Sequence, residues 1–404
     1  MRCSELDGRY RALPSFNPRR RGPVFPAMSG HVIERRGKGA WMSQCGDAIL
    51  INGRFLMQPV TGVQRVAREL VAEMDRLRGA GETPLHLALA CEQNADVSGL
   101  GLRHIPVERR GGASGHAWEQ FVLPRMAAGR RLLCLGNTVP LASALGRQRL
   151  SVMIHDVSYL SLPQAYSLRY RAAHGALLPV MLRGADTVFT VCDTEAERLR
   201  RLHRGARVVA LQNGAWIRDR VERVDHGERE RMVLYVGSLS RRKNVERVIE
   251  VAQYLAREDG VRTVLVGGGN EILAPIRARV ASDVESMIDF IGQVPDLETL
   301  AGYYRRAGCL LFPSLYEASP LPPVEAMSLG CPVVASAIPS ITERCGSAAL
   351  YCDPHDSTDI LAAVRRVLYN REQADALRHA GFERAARYSW RDQARGLLAA
   401  MTRS

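Results

Sequence analysis

The chain has 404 residues, 46% of them hydrophobic and 24% charged, which are globular values with room for two domains. No run approaches the ~18 apolar residues that would span a bilayer, no secretory leader stands behind the N-terminal charges, and nine scattered cysteines without a Cys-x-x-Cys pair read as reduced thiols of a cytosolic protein. The formal charge of +13 suits a protein that handles phosphates or works at an anionic membrane; a nucleic-acid partner is not expected, because the four tryptophans lie far apart and no recognised nucleic-acid motif is present.

Residues 1–46 carry nine Arg and Lys against Glu5, Asp7 and Glu34, are rich in Pro and Gly, and have no hydrophobic period, so they read as a disordered basic extension. Either it is a dispensable extension or it is an arm for acidic lipid headgroups. Ala48–Asn52 reads as a buried strand, Gly53 to Thr61 as a loop, and Gly62–Met74 as a helix whose Val63, Val66, Ala67, Leu70 and Met74 share one face. Leu85–Ala90, Arg131–Leu135, Ser151–Ile154, Thr187–Val191 and Val208–Leu211 follow as strands. Trp118–Ala128, Arg169–Arg183 and Thr194–Leu202 read as helices between them. This alternation is a doubly wound α/β half over 47–214.

A polar, aperiodic stretch at 215–230 reads as a linker, and a second alternation fills the domain expected over 215–388. Its strands are expected at Met232–Val236, Thr263–Val266, Ile288–Ile291, Cys309–Phe312 and Cys331–Ser336, and its helices at Val245–Leu255, Leu297–Arg306, Glu325–Gly330, Asp359–Tyr369 and Gln373–Tyr388. A terminal segment, 389–404, is expected to be helical.

Five places concentrate chemistry, most of them at the C-terminal ends of expected strands, the edge where open parallel sheets bind ligands. Gly237-Ser238-Leu239-Ser240-Arg241-Arg242-Lys243-Asn244 puts cations before a helix N-terminus, a phosphate-binding arrangement that is alone more often a solvated turn. His155-Asp156 follows the strand ending at Ile154, where a loop-supporting role weighs against a catalytic one. Gly62 opens a helix and allows close backbone approach, and Gly267-Gly268-Gly269 is either a nucleotide contact or a turn. Glu317 lies in the loop after Phe312 and Glu325 lies seven intervening residues on; each could accept sugar hydroxyls, or simply decorate a loop and a helix start.

The block from Pro313 to Pro339 resembles the signature of retaining glycosyltransferases of family 4, glycosyl transferases group 1. Glu317, Leu321, Pro322, Glu325, Ala326, Met327, Gly330 and the Pro332-to-Ala335 run match it. Ala318, Ser319 and Pro320 stand where that family usually has Gly-Phe-Gly, and Pro320 has no N–H to offer a ligand. The resemblance covers roughly residues 47–400 and implies the GT-B fold, two Rossmann-like doubly wound parallel-sheet domains facing a cleft, with the terminal helix crossing back onto the first. It implies catalytic roles for Glu317, Arg242, Lys243 and His155, with Arg242 and Lys243 on the donor diphosphate and His155 facing the donor sugar. It implies substrate binding at Gly62, Gly237, Ser319, Leu321, Glu325 and Val294, with Glu325 on the ribose and the Gly292-Gln293-Val294 backbone near the base. The His116-Ala117-Trp118-Glu119-Gln120 segment also looks like one found in part of the family.

The expected activity is sugar transfer from a nucleotide-sugar donor to a glycan or lipid-linked acceptor in bacterial polysaccharide synthesis. The nucleotide sugar is a co-substrate, and no metal or other cofactor is implied. The expected location is the cytoplasm, with peripheral contact at the inner face of an anionic membrane. A GT-B epimerase or phosphorylase, or a non-catalytic binding partner of a transferase, are the alternatives.

Overall fold

The structure is a computed structural model that describes residues 48–215 and 229–402. The basic extension expected over 1–46 and most of the linker expected over 215–230 lie outside the described residues.

Seven strands make the first sheet: β1 (Ala48–Asn52), β2 (His86–Glu92), β3 (Val107–Arg110), β4 (Arg131–Cys134), β5 (Leu150–Met153), β6 (Thr187–Thr190) and β7 (Val208–Ala210). Six make the second: β8 (Glu230–Val236), β9 (Arg262–Val266), β10 (Ile288–Gly292), β11 (Ala307–Phe312), β12 (Val333–Ser336) and β13 (Leu350–Cys352). Their spatial orders are β3-β2-β1-β4-β5-β6-β7 and β10-β9-β8-β11-β12-β13. Every pairing in both sheets is parallel. Each sheet therefore reverses direction once, between β1 and β4 and between β8 and β11, and a crevice opens outside the strand ends at each reversal.

The central strands are short apolar runs because both faces are covered. Ile49, Leu50, Ile51, Val233, Leu234 and Tyr235 are all fully buried, with alternate side chains entering different clusters on the two faces. Helix α1 (Gly62–Gly79) follows β1, and Trp390–Thr402, the last helix, packs on it through Trp390, Leu397 and Met401. Arg395 of that helix bonds Glu82 at 2.6 Å, and Gln393 bonds Asn213 at 2.9 Å.

Several elements differ from the sequence reading. The segment expected as one helix over Trp118–Ala128 contains a π-helical turn at Trp118–Val122 before a short α-helix at Leu123–Met126. Pro124 supplies no N–H to a regular ladder, and the buried Trp118 is fixed by its indole bond to the Arg110 carbonyl at 2.9 Å. The helix expected from Glu325 begins at Leu321. Pro322 and Pro323 occupy its first turn, where no intrahelical N–H bond is required. Strands β3 and β13, at opposite sheet edges, were not expected: Val-Glu-Arg-Arg reads as surface charge, and Leu-Tyr-Cys is too short for a period.

Candidate functional site

The C-terminal ends of β8 and β11 hold most of the proposed phosphate chemistry. After β8 the chain turns at Gly237, whose φ is +156°, beside Gly267 after β9, whose φ is +149°. A Cβ on Gly267 would stand 1.8 Å from the Gly237 carbonyl oxygen, so the two loops meet backbone to backbone as only glycine allows. The Tyr235 hydroxyl donates to the Ser238 carbonyl at 2.8 Å and fixes the same loop. Arg241–Lys243 form one 3-10 turn that ends at Asn244 in the left-handed region, φ +60°. The Asn244 amide donates to the carbonyls of Pro313 at 3.0 Å and Pro354 at 2.7 Å, which ties this turn to the loop after β11. Leu315 N–H closes the seam on the Arg242 carbonyl at 2.9 Å.

Those ties bring Arg242, Lys243 and Glu317 together. Lys243 Nζ lies 2.5 Å and Arg242 Nη1 3.2 Å from Glu317 Oε1. Arg242 Nη1 also donates to the Tyr316 carbonyl at 2.8 Å, and Lys243 Nζ sits 4.7 Å from the centre of the Phe312 ring. Burial alone would raise the Glu317 carboxyl, but the adjacent charges of Lys243 and Arg242 outweigh it and hold the group below the usual glutamate range. Two cations share one carboxylate, so an incoming anion finds positive charge already desolvated and aimed.

In front of Arg242 is a cavity of about 1010 Å³. Its walls are Ser238–Arg242, Gly267–Gly269 and Gly292–Gln293 from the second sheet's loops, and Gln164–Tyr166 from the first half of the chain. The volume is at the upper end of small-molecule sites, and glycine backbone dominates one wall. Glu317 lies behind Arg242 and is not part of this wall.

The other expected residues sit apart from that cluster. Glu325 is 2% exposed, and its Oε2 accepts from the Tyr304 hydroxyl at 3.0 Å. Its Oε1 has no hydrogen-bond partner, and burial raises its pKa although the charge of Arg65, on α1, pulls the other way. Ser319 carries a buried hydroxyl without a partner. The Leu321 side chain enters the first half's hydrophobic cluster, which leaves only its backbone amide at the helix start for a ligand. Val294 packs against the second half's core, just past the cavity wall at Gln293. At Gly62 an added Cβ would meet nothing within 4 Å, so the fold does not require glycine there.

His155 is buried and its ring Nε2 donates to the Leu135 carbonyl at 2.8 Å, while Asn137 accepts from its backbone N–H at 2.7 Å. Burial lowers its pKa, so the ring is neutral and Nδ1 is its acceptor. Asp156 is engaged locally, accepting from Ser158 N–H at 2.9 Å and Ser158 Oγ at 2.5 Å.

Sequence reasoning passed over the residues that hold the two halves around this loop. Tyr316, beside Glu317, donates to Glu195 Oε1 of the first half at 2.8 Å, and Arg198 lies 2.9 Å from the same oxygen. Glu343 caps the helix at Asp193–Leu202, accepting from the N–H groups of Asp193 and Thr194 at 2.8 Å each. Its neighbour Arg344 donates to the carbonyls of Pro320 and Asn213 at 3.0 and 2.7 Å and to Gln212 Oε1 at 2.9 Å. Ser340, one turn earlier, bonds the Glu317 carbonyl. The Glu317–Pro320 loop is thus fixed at both ends to contacts that cross between the halves. None of these partners is close in sequence, so no local motif announces them.

An expected outcome separates two readings of Glu325. If its free Oε1 takes a ribose hydroxyl, Glu325→Gln weakens nucleoside diphosphate and full donor alike, by about tenfold, the difference between a charged and a neutral acceptor. Calorimetric titration with both ligands checks this. A variant that only gains thermal stability and binds both as before would make Glu325 a buried structural carboxyl.

Comparison with known proteins places this geometry. Residues 218–384 match the family model described as Glycosyl transferases group 1. An O-antigen chain mannosyltransferase B of Escherichia coli is 33% identical over 162 residues, 39% of this chain and 42% of that protein. The chain thus spans less than half the length of that relative in the match. The sucrose-phosphate synthase of Thermosynechococcus elongatus superposes with a TM-score of 0.68 at 20% identity, covering 88% of this chain and 98% of that one. HepE from Anabaena, solved with UDP-glucose, superposes with a TM-score of 0.65 at 16% identity over 88% of this chain and 99% of that one. The fold is GT-B: two Rossmann-like parallel-sheet domains, as the sequence reading expected.

Proposed function

We propose that the protein is a retaining glycosyltransferase of family 4 that moves a sugar from a nucleotide-sugar donor to a glycan or lipid-linked acceptor in bacterial polysaccharide assembly, working in the cytoplasm at the inner face of the membrane. The observation that carries this reading is the Lys243–Glu317–Arg242 cluster at the reversal of the second sheet, behind a glycine-walled cavity large enough for a nucleotide sugar. Similarity to an O-antigen mannosyltransferase supports the polysaccharide context.

In this reading the diphosphate takes Arg242 and Lys243 from Glu317 and becomes their shared anion. The arginine fork grips two phosphate oxygens and the lysine acts as a point charge. The acceptor oxygen bonds to the anomeric carbon from the face the leaving group departs. The bond from that carbon to the diphosphate oxygen breaks, its electron pair passes to the diphosphate, and a phosphate oxygen takes the acceptor's proton. The two cations stabilise the charge that grows on the leaving group. Glu317, freed of the two cations, turns from its place behind Arg242 toward the sugar hydroxyls. Neutral His155 and the unpartnered Ser319 hydroxyl add acceptor and donor capacity on the sugar side. In this reading Gly62, at the start of α1, is the first domain's backbone contact with the donor.

Positive charge for the leaving group comes from these side chains, so the reading needs no divalent ion. Transfer is expected to survive a chelator, measured with and without returned magnesium. Complete loss that magnesium restores would contradict the assignment of that role to Arg242 and Lys243. The reading as a whole is tested by thermal shift: a nucleotide sugar at about 100 times its Kd raises stability by about 2.7 kcal/mol. A screen of nucleoside diphosphates and their sugars in which none shifts the midpoint would sink it.

A further inference from the structure

We propose that Tyr166 sets acceptor specificity: the ring face turned away from Tyr170 is the platform on which a pyranose of the acceptor stacks, so the hydroxyl that receives the transferred sugar belongs to a sugar ring. The inference rests on the transferase reading above and narrows its acceptor to a pyranoside.

Of the described residues that line the donor cavity, Tyr166 alone carries an aromatic ring. It comes from the first domain, whereas the glycine-rich wall is built from loops of the second sheet. Tyr166 is half-buried, yet its backbone, ring and hydroxyl are all held. The turn at Pro163–Ala165 closes with Tyr166 N–H donating to the Pro163 carbonyl at 3.2 Å. Ser167 then caps the helix at Leu168–Gly184 by accepting from Tyr170 N–H at 3.2 Å.

The ring is braced from behind. Tyr170 and His174, one turn apart on that helix, stack at 3.8 Å with their planes 17° apart. Tyr166 stacks on Tyr170 at 5.1 Å and 22°. The buried Tyr159 meets Tyr170 edge-on at 6.2 Å, and its hydroxyl donates to the His174 carbonyl at 3.2 Å. A column of rings therefore backs Tyr166. Such bracing serves a binding surface, because a side chain ordered in advance loses no rotamer freedom when the ligand arrives.

The hydroxyl is oriented as well. Ser158 Oγ gives its one proton to Asp156 Oδ1 at 2.5 Å, so in its contact with Tyr166 it accepts and the phenol donates. The Tyr166 oxygen keeps its lone pairs for a ligand hydroxyl. Burial raises the phenol pKa and keeps it protonated, and the charges of Asp156, Arg242 and Glu317 also act on it. Those partners put the group at the diphosphate end of the cavity, where transfer occurs, and not at the Gly292–Gln293 end.

The ligand class follows from this chemistry. One face of a pyranose carries C–H groups that make an apolar, slightly positive patch, complementary to the electron-rich face of an aromatic ring. Its rim carries hydroxyls. Tyr166 offers a ring face for the patch and a phenol oxygen for a rim hydroxyl. An open-chain polyol has the hydroxyls but no such face.

Saturation-transfer NMR on the full chain, with UDP or GDP present and selective irradiation of the protein's aromatic protons, tests this. Methyl α-D-mannopyranoside is the probe and glycerol the control. Saturation is expected to reach C–H groups on one face of the pyranoside and none of the glycerol. Tyr166→Leu should abolish it and weaken the pyranoside by about tenfold, the order of one aromatic stack. Tyr166→Phe keeps the ring and should lose no more than about threefold, the low end for one neutral hydrogen bond. Calorimetric Kd values for the diphosphate should be unchanged in both. Should Tyr166→Leu fail to fold, Tyr166→Phe and the proton pattern in the parent decide. Saturation spread evenly over the pyranoside, none at all, or a Tyr166→Phe loss as large as tenfold would overturn the proposal. Weakened diphosphate binding in Tyr166→Leu would overturn it equally, and make the ring a platform for the nucleobase. Failure of the transferase reading is seen separately, as nucleotide sugars that shift no unfolding midpoint.

Discussion

Arg242→Ala and Lys243→Ala each lower turnover at saturating donor by about two orders of magnitude, since losing one preorganised partner of a developing anion costs on the order of 3 kcal/mol. The two are not expected to behave alike in binding. Lys243 is 8% exposed and closest to Glu317, and its removal leaves that buried carboxylate to Arg242 alone. Lys243→Ala should therefore also cost stability, because an under-compensated buried charge is expensive. Arg242 has a 28% exposed side chain that reaches the cavity wall. Arg242→Ala should spare stability and weaken diphosphate binding along with turnover. Steady-state rates, calorimetric Kd values and urea midpoints for the two variants decide it. Near-normal turnover in either would remove the phosphate assignment for that residue.

Arg344→Met is expected to destabilise the protein by roughly 4 kcal/mol. The guanidinium is fully buried, makes three bonds of 2.7 to 3.0 Å, and lies 4.3 Å from the Tyr388 ring centre. Burial brings its pKa down to about 10, which still leaves it charged at neutral pH. Bonds to a charged donor contribute about 1.5–3 kcal/mol each, and methionine of similar length recovers part of the packing. The carbonyls of Pro320 and Asn213 lose their partner together, so the Glu317–Pro320 loop and the junction at Gln212–Asn213 loosen at once. A lower urea midpoint should come with reduced turnover even at temperatures where the variant is fully folded. A variant as stable as the parent would mean that the crossing contacts of Glu343 and Tyr316 suffice.

The fold was readable because its signals are local. Ala48–Asn52, Leu297–Arg306 and Thr187–Thr190 are runs whose composition and bounding residues declare their type. Strands β3 and β13 escaped because an edge strand needs neither a full apolar run nor length. The start of the helix was expected at Glu325 and lies at Leu321, because the two prolines that precede Glu325 are well placed in a first turn.

The site divides in the same way. Gly237 through Asn244 and Glu317 could be marked because strand ends and helix starts bound them in sequence. That Lys243 lies nearer Glu317 than Arg242 does, and that Glu317 sits behind Arg242 instead of on the cavity wall, depend on Asn244 bridging to Pro313 and Pro354. The roles of Glu195, Glu343 and Arg344 are set wholly by contacts between distant segments. A buried arginine in Ile-Thr-Glu-Arg-Cys looks no different from an exposed one until its three acceptors are in place.

The central claim is that this cavity delivers a sugar from a nucleotide donor to a separate acceptor. The most direct measurement is release of free nucleoside diphosphate from a panel of nucleotide sugars, followed by NMR, with and without lipid-linked and glycan acceptors. The account predicts release that depends on acceptor, a new glycosidic bond with the donor's anomeric configuration, and loss of both in Arg242→Ala. An altered nucleotide sugar formed without any acceptor, or a transferred sugar of inverted configuration, would contradict it.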